Sequence, residues 1–176
     1  GFSIRQNVFR SEFNYTVNNK HSVSAGVNAV YYKLSPGTRD PNGSGSLVAH
    51  DALPDEQALE TAVYLGDKYT INNKLSVTAG IRFSAYSYLG PQEVNSYKDN
   101  QPRDTATITG KTSYGNGKNI KSYASPEYRF TLRYALTDDL ALKLSYNTFR
   151  QYIHMLSNTV SVSPTDIWKL SDTYIK

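Results

Sequence analysis

From residue 75 the chain alternates for eleven residues: Leu75, Val77, Ala79, Ile81, Phe83 and Ala85 are apolar, while Ser76, Thr78, Gly80, Arg82 and Ser84 are small, polar or charged. A period of two sends successive side chains to opposite sides of an extended backbone. The stretch therefore predicts a β-strand with one apolar and one polar face. Asn72-Asn73-Lys74 precedes it, and Tyr69 lies near the end of the run before. The same arrangement occurs twice more. Tyr15, Asn18-Asn19-Lys20 and the row Val23, Ala25, Val27, Ala29, Tyr31 form one copy; Tyr134, Thr137-Asp138-Asp139 and the row Leu140, Leu142, Leu144, Tyr146 form the other.

Each copy reads as a hairpin, with asparagine expected to supply the positive φ that tight turns use. The incoming strands are predicted over about 4–17, 57–71 and 122–136. Their apolar rows include Phe9 and Phe13, then Leu59, Val63 and Leu65, then Tyr128, Phe130 and Leu132. The fold class expected is all-β: an antiparallel up-and-down meander of about six strands, three hairpins in all. Short turns near 18–20, 72–74 and 137–139 alternate with long connections at 34–56 and 89–121, both rich in Pro, Gly, Ser and Asp. An irregular tail follows over 153–176.

This inequality of connections is unusual for a soluble sheet, in which loops beyond about 12–15 residues need a reason. Outer-membrane barrels have tight turns on one side and long loops on the other. Each apolar row also has the nine to eleven residues that a tilted strand needs to cross a bilayer. Tyr15, Tyr69 and Tyr134 hold one place relative to each turn, as an interfacial aromatic girdle requires. Tyr31, Tyr32, Tyr86, Tyr88 and Tyr128 are expected in the opposite girdle. Leu75, Val77, Ile81, Phe83, Leu140, Leu142 and Leu144 are then expected to face membrane lipid, with Arg82 toward water.

Composition supports this and removes alternatives. Only 39% of the 176 residues are apolar, little for a packed core, and 15 of them are tyrosines, which favour oil and water boundaries. The net charge of +4 comes from scattered residues without a basic run, so nucleic acid is not an expected partner. There is no cysteine, hence no disulfide framework or thiolate site. No run of 18 apolar residues exists to make a spanning helix, and residues 1–5 lack a secretory-signal layout. The chain is expected to be an excised piece of a longer one. His21, His50 and His154 have no His, Cys or carboxylate at ligand or triad spacing, so catalysis is not expected.

The end of the last hairpin carries a more specific signal. Tyr146-Asn147, Arg150-Gln151-Tyr152-Ile153-His154, Leu156-Ser157-Asn158-Thr159, Pro164-Thr165-Asp166 and Trp168 together resemble a stretch in the barrels of TonB-dependent outer-membrane receptors. The likeness is to the group with long outer loops found in nutrient-scavenging Gram-negative anaerobes. That resemblance implies a barrel of about 22 strands closed by a plug. The plug carries a box read by an energy-transducing inner-membrane complex. Six strands without a plug or box make the chain a mid-barrel segment, since a closed membrane barrel needs about eight or more.

The implied function is a share in binding and importing a glycan, peptide, siderophore or cobalamin across the outer membrane of a Gram-negative bacterium, with a surface lipoprotein as a further candidate partner. Candidate ligand contacts in the long loops are Arg39, Asp40, Lys98, Asp99, Arg103 and Asp104. No cofactor is required, but Asp40, Asn42, Ser44, Ser46 and Asp51 follow the ligand spacing of a calcium loop of the EF-hand type, with Gly45 at its sixth position. The plainer reading of that segment is a loop tip built to turn. The rival to the whole scheme is a soluble or surface β-sandwich, a binding module or adhesin whose apolar rows pair across a core.

Overall fold

The computed structural model describes residues 2–43, 45–47, 50–157 and 166–175, without the side chains of Arg39 and Asp51. Its frame is a six-stranded antiparallel sheet. Strands β1 (Ser3–Thr16), β2 (His21–Ser35), β5 (Glu56–Thr70), β6 (Leu75–Leu89), β9 (Asn119–Ala135) and β10 (Ala141–Asn147) lie side by side in chain order, and the sheet does not close. The long connections carry small sheets of their own: β3 (Thr38–Arg39) pairs with β4 (Asp51–Ala52), and β7 (Gln92–Tyr97) with β8 (Ile108–Tyr114). In the tail β11 (Ile153–Leu156) pairs with β12 (Ile167–Leu170), so 153–176 is less irregular than its pattern suggests.

The three short turns are built alike. Val17 N donates to His21 O, Ile71 N to Leu75 O and Leu136 N to Leu140 O, at 3.0, 3.0 and 2.8 Å. Asn18 Oδ1 accepts from the backbone of Lys20 and His21, and Asn72 Oδ1 accepts from Lys74 and Leu75 in the same way. Thr137 Oγ1 does this for Leu140. The asparagines thus act as acceptors. They do not supply positive φ: among the described residues only Asn100 and some glycines adopt it. Leu140, expected in the last apolar row, closes its turn, and β10 begins one residue later.

The register carries the alternation across all six strands. One row reads Phe13, Ala25, Leu65, Ile81, Tyr128, and the next Val27, Val63, Phe83. The neighbouring row on the opposite face reads Glu12, Gly26, Tyr64, Arg82, Glu127. A one-residue slip would exchange the faces of a strand, so the repeated pattern fixes the pairing.

Gly26 is needed where it stands. A Cβ there would lie 2.5 Å from the Ser11 carbonyl oxygen and 2.5 Å from the Tyr64 hydroxyl, which crosses the glycine to donate to Glu12 at 2.8 Å. Gly26→Ala should destabilise the sheet by about 1–3 kcal/mol, the usual cost of forcing atoms into an occupied space. Urea unfolding of the variant beside wild type measures it.

Candidate functional site

The apolar face has no second layer among the described residues. Ile81 and Phe83 are 48% and 50% exposed, and Leu142 and Leu144 project as freely. Leu75 and Val77 are half-buried, flanked across the ladder by Tyr134 and Tyr69. Tyr15, Tyr69 and Tyr134 share this face at its short-turn edge, where His21 stacks on Tyr69 with ring centres 4.4 Å apart.

The core lies on the other side, at the long-loop end. Leu34, Ala58, Tyr86 and Tyr88 project from the even-numbered face of β2, β5 and β6, and the tail covers them with Tyr152 and Leu170. Tyr86 stacks on Tyr152 at 4.4 Å and donates to the Ser171 carbonyl at 2.7 Å, while Tyr123 donates to that of Asp172. The opposite girdle is thus divided. Tyr31 and Tyr128 share the apolar face, but Tyr32, Tyr86 and Tyr88 face inward and hold the tail. A signal existed: near 30–34 and 85–88 both parities carry apolar or aromatic residues, as they must when a strand is covered on two sides.

Glu56 is the polar anchor of that contact. Its carboxylate accepts from Lys169 Nζ at 2.6 Å and from the backbone N–H of Leu170 at 2.8 Å, and Lys169 also reaches Asp172 at 3.1 Å. Burial alone would depress the Lys169 ammonium, but Glu56 and Asp172 outweigh it and hold its pKa above the ordinary lysine value. A cation whose pKa is raised by folding contributes stability that is complete below the unfolded value and lost as pH rises through the folded one. Docking of the tail should therefore persist through neutral pH and weaken above the ordinary lysine range. The emission maximum of Trp168, the single tryptophan, should move to the red there.

Below the covered region Arg82 lies between two carboxylates, 3.1 Å from Glu60 and 3.5 Å from Glu127. Tyr32 donates to Glu60 and Ser84 to Glu127. Arg82 thus takes the polar face, as the alternation requires, but it is half-buried within an ion network. Toward the short turns the character of the face reverses. Lys68, Arg129, Arg133 and Lys143 project over a floor of Gly66, Gly80, Ser76 and Thr78, and none is ion-paired among the described residues. The polar face thus carries paired charges in its upper part and cations alone in its lower part.

The loop residues expected to meet a ligand are spread out. Asp104 spends its carboxylate capping the 3-10 turn Thr105–Thr107, accepting from the N–H groups of Ala106 and Thr107. Arg103 lies over the Tyr174 ring at 4.3 Å, and Tyr97 meets that ring edge-on at 5.7 Å. A cleft of about 150 Å³ opens beside them between β7 and the tail, lined by Gln92, Asn95, Tyr97, Lys169, Asp172 and Tyr174 among others. Lys98 and Asp99 are exposed at the tip of the β7 hairpin, while Asp40 belongs to the other long loop. The Arg39 side chain lies outside the described residues. The cleft's lining escaped sequence reading because its halves are more than 50 residues apart and neither carries a motif.

Two histidines do find carboxylates, contrary to expectation. His21 Nδ1 is 2.7 Å from Asp67 across β2 and β5, and His50 Nδ1 is 2.6 Å from Asp40. Pairing between strands brings together residues that spacing along the chain keeps apart. The contact with His50 holds the Asp40 carboxyl below its ordinary pKa. Of the calcium-loop set, Ser44 and the Asp51 side chain lie outside the described residues; Asn42 is exposed and Ser46 half-buried. Among the described residues no three His, Asp or Glu side chains converge to hold a metal.

A family model described as "TonB dependent receptor-like, beta-barrel" matches residues 2–171. No curated protein and no solved structure matches the chain.

Proposed function

The chain belongs to the TonB-dependent receptor β-barrel family, a family of outer-membrane receptors and transporters, not of enzymes, and from that premise we propose that it forms part of the wall of a nutrient importer. In this reading the odd-numbered rows of β2, β5 and β6 and the matching rows of β1, β9 and β10 meet lipid. The opposite rows, even-numbered in β1, β2, β5 and β6 and odd-numbered in β9 and β10, line the lumen. The long loops, with the cleft between β7 and the tail, gather a glycan, peptide, siderophore or cobalamin, and a surface lipoprotein assists in its capture. Cargo passes when the inner-membrane complex displaces a plug.

The observation that carries the reading is the two-faced sheet, with no layer over its apolar side among the described residues and its own tail over the long-loop end of the polar one. The apolar row of β6 has the right height. Ten residue steps from Leu75 to Ala85 extend about 33 Å, which a tilt of about 40° reduces to about 25 Å, the height of a barrel's apolar band. A sandwich would instead need a second layer on the Ile81 and Phe83 side. Charges are accounted for as well: a wet lumen accepts Lys68, Arg129, Arg133 and Lys143 at little cost, whereas in a closed core each would cost several kcal/mol.

Fractionation tests this. The intact protein carrying this chain should separate with outer membranes and need detergent to remain dispersed. A monomer stable in plain buffer, with a cooperative melt, would instead support the sandwich.

A further inference from the structure

Asparagine is followed by glycine at two places in the chain, Asn42-Gly43 and Asn116-Gly117. Glycine has no side chain to shield its own backbone nitrogen, which is placed to attack the amide carbon of the asparagine before it. Both asparagines are exposed, and both glycines hold a positive φ, 86° at Gly43 and 69° at Gly117. Their hydrogen bonding differs. The Gly117 N–H donates to the Gly90 carbonyl at 2.9 Å, and the Gly90 N–H donates back to the Lys118 carbonyl at 2.9 Å. Lys118 N in turn donates to Gly115 O at 3.1 Å, so the Asn116-Gly117 turn is clamped where β6 ends and β9 begins. At the other pair the Gly43 carbonyl accepts from Ser46 N at 3.2 Å, but the Gly43 nitrogen meets no acceptor among the described residues.

We propose that Asn42 is a site of spontaneous deamidation and that the fold protects Asn116 from the same reaction. Hydroxide takes the proton of the Gly43 nitrogen, which then forms a bond to Asn42 Cγ. The Cγ–Nδ2 bond breaks, the leaving nitrogen takes a proton from water, and ammonia departs from a five-membered succinimide. Water opens that ring at either carbonyl, giving aspartate or isoaspartate. One water is consumed and one ammonia released, with no change of oxidation state. At Gly117 the attacking nitrogen must first give up its bond to Gly90 and the turn must leave its clamp. The product at position 42 is a new carboxylate two residues after Asp40, whose own carboxylate is 2.6 Å from His50. The connection between β3 and β4 therefore becomes more acidic as the molecule ages, and the isoaspartyl form also lengthens its backbone.

The intact folded protein, incubated in mildly alkaline buffer at body temperature and then digested, provides the test. Mass spectrometry of its peptides, with enzymatic methylation to mark isoaspartate, follows both asparagines in one sample. Asn42 should convert about tenfold faster than Asn116, the upper end of what breaking one backbone hydrogen bond costs in rate. The conversion should quicken with rising pH, and Asn42→Gln should abolish it at that position. Peptides digested before the incubation lack the clamp, and in them the two rates should converge. Equal rates at Asn42 and Asn116 in the folded protein would overturn the proposal. A difference that persists undiminished in the free peptides would overturn it too, by assigning the protection to flanking sequence. Conversion to aspartate without isoaspartate would rule out the succinimide route.

Discussion

Glu56→Ala will release the tail from the sheet. The Glu56 side chain is 7% exposed and satisfies two donors, the Lys169 ammonium and the Leu170 amide. Removing it leaves a cation and an N–H facing apolar surroundings without their acceptor. Breaking a buried ion pair in this way costs about 3–5 kcal/mol, and because Lys169 is 27% exposed, we expect the lower end, about 3 kcal/mol. The sheet itself should survive, since its strands pair without the tail. Limited proteolysis would show cleavage within 166–175 in the variant before any cut in β5 or β6, and exchange protection should fall at Leu170 and Ser171. A paired replacement, Glu56→Met with Lys169→Leu, should retain docking better than Glu56→Ala, because the buried pair is removed whole and no ammonium is left without its Glu56 acceptor.

Ile81→Lys should be at least as damaging for a different reason. Ile81 stands near the middle of the apolar row of β6, 48% exposed and without a covering layer among the described residues. On a water-facing sheet a lysine there would be nearly neutral. At the midplane of a bilayer it costs about 2–4 kcal/mol. The variant should therefore fold or insert poorly into vesicles, with a lower yield of heat-resistant protein than wild type. Asn14→Lys supplies the control: it adds the same charge on the opposite face, exposed and beside Glu12, and should have little effect.

The meander was legible because every large strand follows one period and every short turn carries one kind of closure. Phe83 and Val63, or Leu144 and Leu132, stand opposite each other because alternation leaves a single register that keeps the faces separate. What stayed hidden depended on contacts distant in sequence. Lys169 finds Glu56 across 113 residues, and no local pattern in Ile167–Leu170 announces it. Strands of four residues are too short for a period to register. Tyr32, Tyr86 and Tyr88 resemble girdle residues by type, and only their even parity within β2 and β6 separates them from Tyr31. The histidine pairs were missed for the same reason as the tail, since His21 meets Asp67 only once β2 lies beside β5. Asp104 looked like a free loop charge because its partners are backbone amides, which leave little trace in composition.

The claim that one face of this sheet meets lipid and the other water has a direct measurement. The chain has no cysteine, so single cysteines can be introduced at successive positions from Ala79 to Ala85 and labelled with a nitroxide in the reconstituted protein. Collision rates with oxygen, which concentrates in the bilayer, and with a water-soluble nickel chelate should then alternate in opposite phase. Oxygen should dominate at Ile81 and Phe83, and nickel at Gly80 and Arg82. Nickel access at Ile81 and Phe83 equal to that at Arg82, or exclusion of both reagents from those two positions, would contradict the account.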